Sequence, residues 1–427
     1  MLCLSFPFFE MALSGSFATA LDVWKQRNFA WYMGGAAVSL FGMWAQRVAL
    51  FWLAWELTES EFWLGLIAFA DLFPTVVITP LAGALADRVN RLNMARISQA
   101  AAGLQAFVLA WMVFTGKLTE PEDIWWLFAL SLYLGVAMAF ATAARLSVVP
   151  NLMEPRHVPA ALANDAAIYN SARVVGPMIA AAMIARWDAG TAFLLNGFCF
   201  TFFVVCLLFA RMLHHERDHR TGNILSQTLD GIRYASAHAG IGPLLVVLTA
   251  VAVGVKPFLE FLPALSDKLF NAGVEGFAML AAAGGAGAVT AAVWLAFRGR
   301  IDGLSGITLA ALVVGAGGVI VMCATPFLWL GLIGAFFAGA AVTVSGTGTQ
   351  TLMQHAVEGA MRGRVMALYG MLHRGAPAVG ALAIGAAAEI IGIRIAVSAA
   401  AVVLCLLALM WIFSRRRTMT QALEKAP

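Results

Sequence analysis

Twelve apolar segments of membrane-spanning length recur along this chain of 427 residues, separated by short polar breaks. A helix needs about 20 apolar residues to cross the hydrocarbon core of a bilayer, so segments of this length and number indicate a protein that lies mostly within the membrane. Composition agrees, because 61% of the residues are hydrophobic and 12% are charged, whereas soluble domains carry roughly twice that charge. We predict an all-α membrane protein whose twelve transmembrane helices lie at about 28–54, 62–83, 92–115, 124–146, 160–186, 191–210, 243–266, 274–297, 304–324, 326–350, 363–388 and 390–413.

The distribution of basic residues tests the number and direction of these spans, because Lys and Arg collect in the cytoplasmic loops of membrane proteins. With the N-terminus placed in the cytoplasm, 19 of the 27 basic residues fall in cytoplasmic segments, 4 in outer loops and 4 within spans. A missed or added span would scramble this division. We therefore expect a multi-pass protein of the inner membrane with both termini in the cytoplasm.

A polar stretch at residues 211–242 divides the spans into two sets of six and ends in a short amphipathic pattern. We expect five parts in the chain. They are a cytoplasmic N-terminal segment at 1–27, a six-helix bundle at 28–210, a cytoplasmic linker at 211–242, a second six-helix bundle at 243–413 and a cytoplasmic tail at 414–427.

The two bundles carry an internal repeat. A shift of 200 residues lays Tyr169 over Tyr369 and Pro177 over Pro377, with five further identities between residues 152 and 184. Span five therefore corresponds to span eleven. An even number of spans separates the copies, so the halves are parallel repeats about an axis along the membrane normal, and carriers built in this way bind substrate between the repeats.

The turn between spans two and three reads Gly83-Ala-Leu-Ala-Asp87-Arg88-Val-Asn-Arg91. Gly83 permits close helix packing, and Asp87 can cap a helix end or pair with basic neighbours. The string resembles the signature loop of the major facilitator superfamily, G-x-L-a-D-r-x-G-R-K, although Asn90 replaces a glycine and the residue after Arg91 is not basic. The resemblance implies the major facilitator fold, with a conformational gate at Gly83, Asp87, Arg88 and Arg91 that holds the halves in the outward-facing state.

Span five carries Arg173-Val-Val-Gly176-Pro177. This string resembles the antiporter motif of exporting members of that superfamily, although alanines replace its first glycines. A helix-packing role for Gly176 and Pro177, with a kink at the proline, explains it equally well. Together with the stretch that begins at Trp44, it resembles the branch that contains the enterobactin exporter and macrolide-efflux proteins, and lysophospholipid carriers are similar too.

Ionisable side chains inside a span are costly unless each faces a partner or a watery cavity. Arg47 and Asp71 lie at matching depths in the first two spans. An ion pair explains them, and so does a proton-coupling carboxyl that an arginine approaches in one state only. Asp165, near the inner end of span five, can cap that helix.

Lys256 and Glu260 are four residues apart in span seven, so on a regular helix they share one face and form a salt bridge. A role for both in the cavity is the alternative. Pro257 and Pro263 interrupt this span, and broken helices are where binding sites often form in transporters.

Arg173 and Arg374 lie mid-span in the two repeated helices. If both face the central cavity, they form a positive site that suits a carboxylate, phosphate or catecholate group. Hydrogen bonds to local carbonyl groups are the alternative.

These features predict a secondary active transporter that works by alternating access. We expect a proton-coupled antiporter that exports an amphiphilic organic anion such as a siderophore. The expected substrate-binding residues are Arg47, Arg173, Lys256 and Arg374, and the expected proton-coupling residues are Asp71 and Glu260. Alternatives are a lysophospholipid carrier or flippase, macrolide-like multidrug efflux, or a membrane sensor or scaffold that does not transport.

Several classes of function lack support in the sequence. No nucleophile–base constellation, GxxxxGK loop or HExxH motif occurs, and the five cysteines have no CxxC spacing. We therefore expect no enzymatic activity, metal or cofactor. The basic residues are spread over many short loops, which argues against nucleic acid. The expected partners are membrane lipid, a small-molecule substrate and protons, bound by a monomer.

Overall fold

The computed structural model describes residues 22–86, 89–212, 224–359, 361–413 and 416–424, and within these ranges the chain is helical and contains no β-strand. Twelve helices in the described chain are long and apolar enough to cross a membrane, which confirms the predicted fold class. They are α1 Arg27–Thr58, α2 Glu61–Ala86, α3 Arg91–Phe114, α4 Ile124–Val148, α5 Val158–Arg186, α6 Ala189–Phe209, the composite α7, α8 Gly273–Arg298, α9 Leu304–Ala324, α10 Leu328–Ala356, α11 Arg362–Ile391 and α12 Ile393–Phe413.

Helix α7 is irregular along its length. It begins as an α-helix at Ile241–Ala250, continues as a π-helical turn at Val251–Val255 and a 3-10 turn at Lys256–Leu259, and returns to α-helix at Leu262–Phe270. Pro257 and Pro263 lack the backbone N–H that a continuous helix requires, so the interruption follows from the sequence. The prediction of a broken seventh helix is confirmed.

The helices pack as two sets of six. Within the first set, α1 packs on α5 and α6, α2 on α4, and α3 on α4 and α6; within the second, α8 and α9 pack on α10, and α12 packs on α9 and α11. Two extensive contacts join the sets, α2 with α11 and α5 with α8. The linker helix, Ile224–Ala237, packs against α11. We call the membrane side that carries this helix the linker side and the opposite side the far side.

The two sets are held together at the far side by polar contacts, which we call the far-side closure. Lys268 Nζ donates to Glu61 Oε1 at 2.7 Å, Trp55 Nε1 donates to Asp267 Oδ2 at 3.2 Å, and Ser60 donates to the Glu389 carboxylate. Each of these contacts joins a residue of the first set to a residue of α7 or α11. The far side of the protein is therefore closed.

Two glycines allow the backbones of α2 and α11 to touch within the far-side closure. A Cβ added to Gly65 would lie 2.5 Å from the carbonyl oxygen of Ala381, and one added to Gly385 would lie 2.6 Å from the carbonyl oxygen of Glu61. Towards the linker side, a Cβ added to Gly83 would meet nothing within 4 Å. The close helix packing predicted for Gly83 is therefore wrong for this conformation, because the closure joins the other end of α2.

The tail helix, Arg416–Glu424, closes the linker-side end of α9. Glu424 accepts hydrogen bonds from the backbone N–H groups of Gly303 at 2.8 Å and Ser305 at 2.9 Å, and also from the Ser305 hydroxyl. The first N–H groups of a helix have no partner within the helix, so this carboxylate caps α9 from a distant part of the chain. Leu423 is fully buried beside it.

Glu424 makes the stability of this junction depend on pH. Burial by itself would raise the pKa of Glu424, but the hydrogen bonds from Ser305 and Gly303 outweigh burial and hold the pKa below its usual value. A carboxyl whose pKa is lower in the folded state stabilises the protein above its unfolded pKa of about 4.3, and this stabilisation is lost as the pH falls through the folded value.

We expect Glu424→Gln to lower the free energy of unfolding by about 0.5–2 kcal/mol at pH 7, as for other helix caps, and to have a smaller effect at pH 3.5, which lies below the unfolded pKa. Thermal unfolding in detergent at both pH values measures this difference. Glu122→Gln, which changes an exposed carboxylate, serves as the control. An equal effect of Glu424→Gln at the two pH values would contradict the capping role.

Candidate functional site

The irregular turns of α7 decide which way its charged side chains point. A 3-10 helix has 3.0 residues per turn, so residues four apart no longer share one face. The predicted salt bridge between Lys256 and Glu260 is wrong for this reason. Lys256 Nζ donates to the backbone carbonyl of His373 at 2.9 Å, and Glu260 turns towards the first set of helices.

Glu260 joins Arg47 and Asp71 in one group, which we call the central charge cluster. Arg47 Nη1 pairs with Asp71 of α2, and Nη2 pairs with Glu260 Oε1 of α7 at 2.9 Å. The side chains of Arg47, Asp71 and Glu260 are 23%, 12% and 7% exposed. A single guanidinium thus bridges two carboxylates from different halves of the protein, and the cluster carries a formal charge of −1.

Three further cations lie near this cluster, and we call them the cationic trio. Arg173 and Arg374 are both within electrostatic reach of Lys256. Arg173 lies over the indole ring of Trp44 at 5.7 Å, and Arg374 Nη1 is 3.5 Å from the hydroxyl of Thr142 on α4. Among the residues the structure describes, none of the three cations forms an ion pair with a carboxylate.

Aromatic side chains adjoin the trio on both sides. Trp44 packs edge-on against Tyr169 at 5.9 Å, and His373 stacks on Tyr369 at 5.4 Å with their planes 9° apart. Tyr169 and Tyr369 are the matched residues of the internal repeat, and they precede the mid-span arginines by four and five residues. Sequence reasoning missed His373, although its position beside Arg374 in an apolar span is a detectable signal.

Behind Arg47, three buried amides form a chain across α1, α3 and α6. Asn196 Nδ2 donates to Gln46 Oε1 at 2.8 Å, and Gln46 Nε2 donates to Gln105 Oε1 at 2.9 Å. All three residues are at most 2% exposed. The chain fixes the turn of α1 that presents Arg47, and a search for every polar residue in the spans, beyond the ionisable ones, would have found it.

The structure also locates the motif residues. Gly176 is packed on α1, since an added Cβ would lie 2.4 Å from Trp44 Cβ, and Pro177 lies inside α5. Asp165 does not cap its helix as expected but pairs with Arg145 of α4, because the neighbouring helix supplies a charge at its depth. Asp87 and Arg88 lie outside the described residues.

Arg91, the remaining residue of the predicted gate, is the first residue of α3. The preceding Asn90 accepts hydrogen bonds from the backbone N–H groups of Leu92 at 3.0 Å and Asn93 at 3.2 Å. The asparagine that departs from the signature loop is therefore the N-cap of α3, and it starts the helix that carries Arg91.

Comparisons with known proteins show which family shares this architecture. The model of a family described as transmembrane secretion effectors matches residues 18–426. The staphyloferrin A transporter of Staphylococcus aureus is 25% identical over 377 residues, which cover 85% of this chain and 90% of that protein. An uncharacterised transporter of the major facilitator type from Bacillus subtilis is 23% identical over 189 residues, covering 43% of this chain and 42% of that protein.

Among solved structures, a bacterial homologue of the human lysosomal transporter Spinster, in an inward-facing and occupied conformation, has a TM-score of 0.69 at 13% identity, with 91% of this chain and 97% of that chain covered. A bacterial homologue of the iron transporter ferroportin in an inward-facing state has a TM-score of 0.65 at 16% identity, with 90% and 98% covered. These likenesses concern the fold. The twelve spans, the two packed sets and the family match agree, and the chain belongs to the transmembrane secretion effector family of major facilitator superfamily transporters.

Proposed function

We propose that this transporter exports an amphiphilic organic anion, with a siderophore as the favoured class, in exchange for protons. The cationic trio is the observation that carries the proposal. Arg173, Lys256 and Arg374 have no carboxylate partner among the described residues, whereas Arg47 is shared by two. Unpaired charges in a membrane interior are costly, and an anionic cargo would satisfy them.

The chemistry of the trio favours a planar or branched oxyanion. Guanidinium groups donate two parallel hydrogen bonds to carboxylate, phosphate or catecholate oxygens, and an ammonium adds a point charge. Trp44, Tyr169 and His373 offer apolar surface beside these donors. The relative named as a staphyloferrin A transporter supports a siderophore as cargo.

The central charge cluster supports proton coupling. Asp71 and Glu260 share one arginine, and the contacts of that arginine connect the two halves. If residues 28–210 and 243–413 move as the two halves of an alternating-access cycle, Arg47 leaves Glu260 when the far side opens. A carboxylate that loses its buried partner takes up a proton instead.

The charge distribution supports an orientation for this cycle. If both termini are in the cytoplasm, as the basic residues indicate, the far side is the outer side of the inner membrane. The conformation described here is then closed to the outside. An exporter loads its cargo from the cytoplasm in such a conformation, which is consistent with the proposed direction.

The test of the anion site is a binding measurement on purified protein. Staphyloferrin A and its uncharged methyl ester are suitable probes, with lysophosphatidylglycerol and a cationic dye as the other candidate cargo classes. Ligands that bind the folded state raise its unfolding temperature. We expect protection by the anion and none by the ester or the dye, while preferential protection by the lysolipid would favour a lipid carrier.

We expect Arg173→Gln and Arg374→Gln each to weaken binding of the anionic probe. A hydrogen bond to a charged group contributes about 1.5–3 kcal/mol, which corresponds to roughly a 10-fold to 100-fold change in Kd. Titration calorimetry measures the effect. Arg186→Gln, which removes an exposed arginine at the far end of α5, is the matched control, and unchanged affinity in both trio variants would refute the anion site.

A further inference from the structure

A pocket of about 480 Å³ opens on the far side, separate from the central charge cluster. Glu61 of the first half lies on one wall, and the other walls come from the second half. Those walls include Lys268, Glu389 and Arg394, together with isoleucines of the turn between α11 and α12. We call this the rim pocket. Because both halves contribute to it, its shape depends on the far-side closure.

The turn at the rim pocket is short and apolar. Gly392 alone separates α11 from α12, and its φ of +81° is a conformation that glycine adopts without strain. Around it, Ile390, Ile391 and Ile395 are 85%, 46% and 58% exposed. Exposed apolar side chains at the ends of two spanning helices belong in lipid, so this turn lies at the level of the headgroups and not beyond them.

Among the described residues, some charged groups of the rim pocket have partners and others do not. Glu61 and Lys268 are paired at 2.7 Å. Glu389 uses only Oε1, which accepts from Ser60 and from the backbone N–H of Phe62. Within the described chain, Glu389 Oε2 has no hydrogen-bond donor and Arg394 has no ion-pair partner. The pocket therefore offers one free carboxylate oxygen and one free guanidinium beside an apolar turn.

We propose that the rim pocket binds the headgroup of a phospholipid that carries both a phosphate and a primary ammonium, the phosphatidylethanolamine class. Arg394 pairs with the phosphate and Glu389 accepts a hydrogen bond from the ammonium, while the acyl chains run along the exposed isoleucines. A choline headgroup has no N–H to donate, and a glycerol headgroup has no cation. The lipid is a resident ligand, independent of the nature of the cargo.

The position of the rim pocket gives this lipid a conformational effect. A ligand shifts an equilibrium towards the state that it binds more tightly. The wall that carries Glu61 is in place only when the far side is closed, so the lipid stabilises the closed state. A bilayer rich in the ethanolamine lipid will favour the conformation that loads cargo from the linker side.

The test uses the purified, delipidated full-length protein in detergent. Short-chain phosphatidylethanolamine, phosphatidylcholine, phosphatidylglycerol and the chain-free headgroup glycerophosphoethanolamine are added separately, and the thermal unfolding temperature and lipid-bound mass are measured. We expect the ethanolamine lipid to bind most tightly. Arg394→Gln should weaken its affinity by about 10-fold or more, and Arg186→Gln, a far-side arginine outside the pocket, should not.

Three outcomes would overturn the lipid site. Equal affinity of the wild-type protein for the three lipids would remove the proposal. An affinity for the ethanolamine lipid that is unchanged in Arg394→Gln would also remove it. Equal protection by glycerophosphoethanolamine would identify a site for a free headgroup and not for a lipid. The lipid site is tested with Arg394→Gln and the anion site with Arg173→Gln and Arg374→Gln, so failure of the one is distinct from failure of the other.

Discussion

Arg47→Gln is expected to abolish transport and to destabilise the folded protein by about 3–5 kcal/mol, the usual cost of breaking a buried ion pair from one side. The variant leaves Asp71 and Glu260 buried without their shared cation. Two carboxylates in this position cannot both remain ionised at low cost. Thermal unfolding in detergent measures the loss of stability, and counterflow in proteoliposomes measures the loss of transport.

A rescue variant separates stability from coupling. Adding Asp71→Asn and Glu260→Gln to Arg47→Gln removes all three charges, so we expect most of the stability to return. Transport driven by an imposed pH gradient should remain absent, because no titrating carboxyl is left in the cluster. A pH-driven flux in this triple variant would show that the protons are coupled elsewhere.

Arg145→Gln provides the matched control. Arg145 and Asp165 also form a partly buried pair, but both residues belong to the first half, in α4 and α5. We expect this variant to lose stability while its transport still responds to the pH gradient. Loss of the pH response in Arg145→Gln as well would mean that coupling depends on general stability and not on a charge that connects the halves.

The sequence predicted the parts of this site that depend on one helix or on depth in the membrane. The depths of Arg47 and Asp71 indicated that they can meet, and Pro257 and Pro263 indicated an interruption in α7. Both inferences use only the rise of a helix and the chemistry of proline. The twelve spans follow from apolar length in the same way.

The third member of the cluster could not be predicted from such rules. Glu260 reaches Arg47 because the helix turns irregularly between Val251 and Leu259 and because the two halves meet at the far side. The regular spacing of Lys256 and Glu260 predicted the wrong partner. No local sequence pattern predicts how distant helices pack. For the same reason, nothing in the sequence distinguishes Gly65 and Gly385 from the rest of its 40 glycines.

Substitution of those glycines is expected to have a large effect on the conformation, because the far-side closure leaves no space for a side chain at Gly65 or Gly385. In each case an added Cβ would lie 2.5 or 2.6 Å from a carbonyl oxygen of the opposite half. The obstructing atoms are backbone, so α2 and α11 must separate to relieve the overlap. We expect Gly65→Val and Gly385→Val to favour a far-side-open conformation, in which these helices no longer touch.

A shift from a largely closed to a largely open population requires about 5.5 kcal/mol of difference between the states, and we expect the double variant to reach it. Spin labels at Lys117 and Phe327, in far-side loops of the two halves, report the separation by pulsed electron resonance in a cysteine-free background. Gly370→Ala on α11, where an added Cβ meets nothing within 4 Å, is the control. The same label distance in the double variant and the control would show that the far-side contact does not determine which state is populated, whereas a longer distance with little transport would identify the contact as a conformational switch.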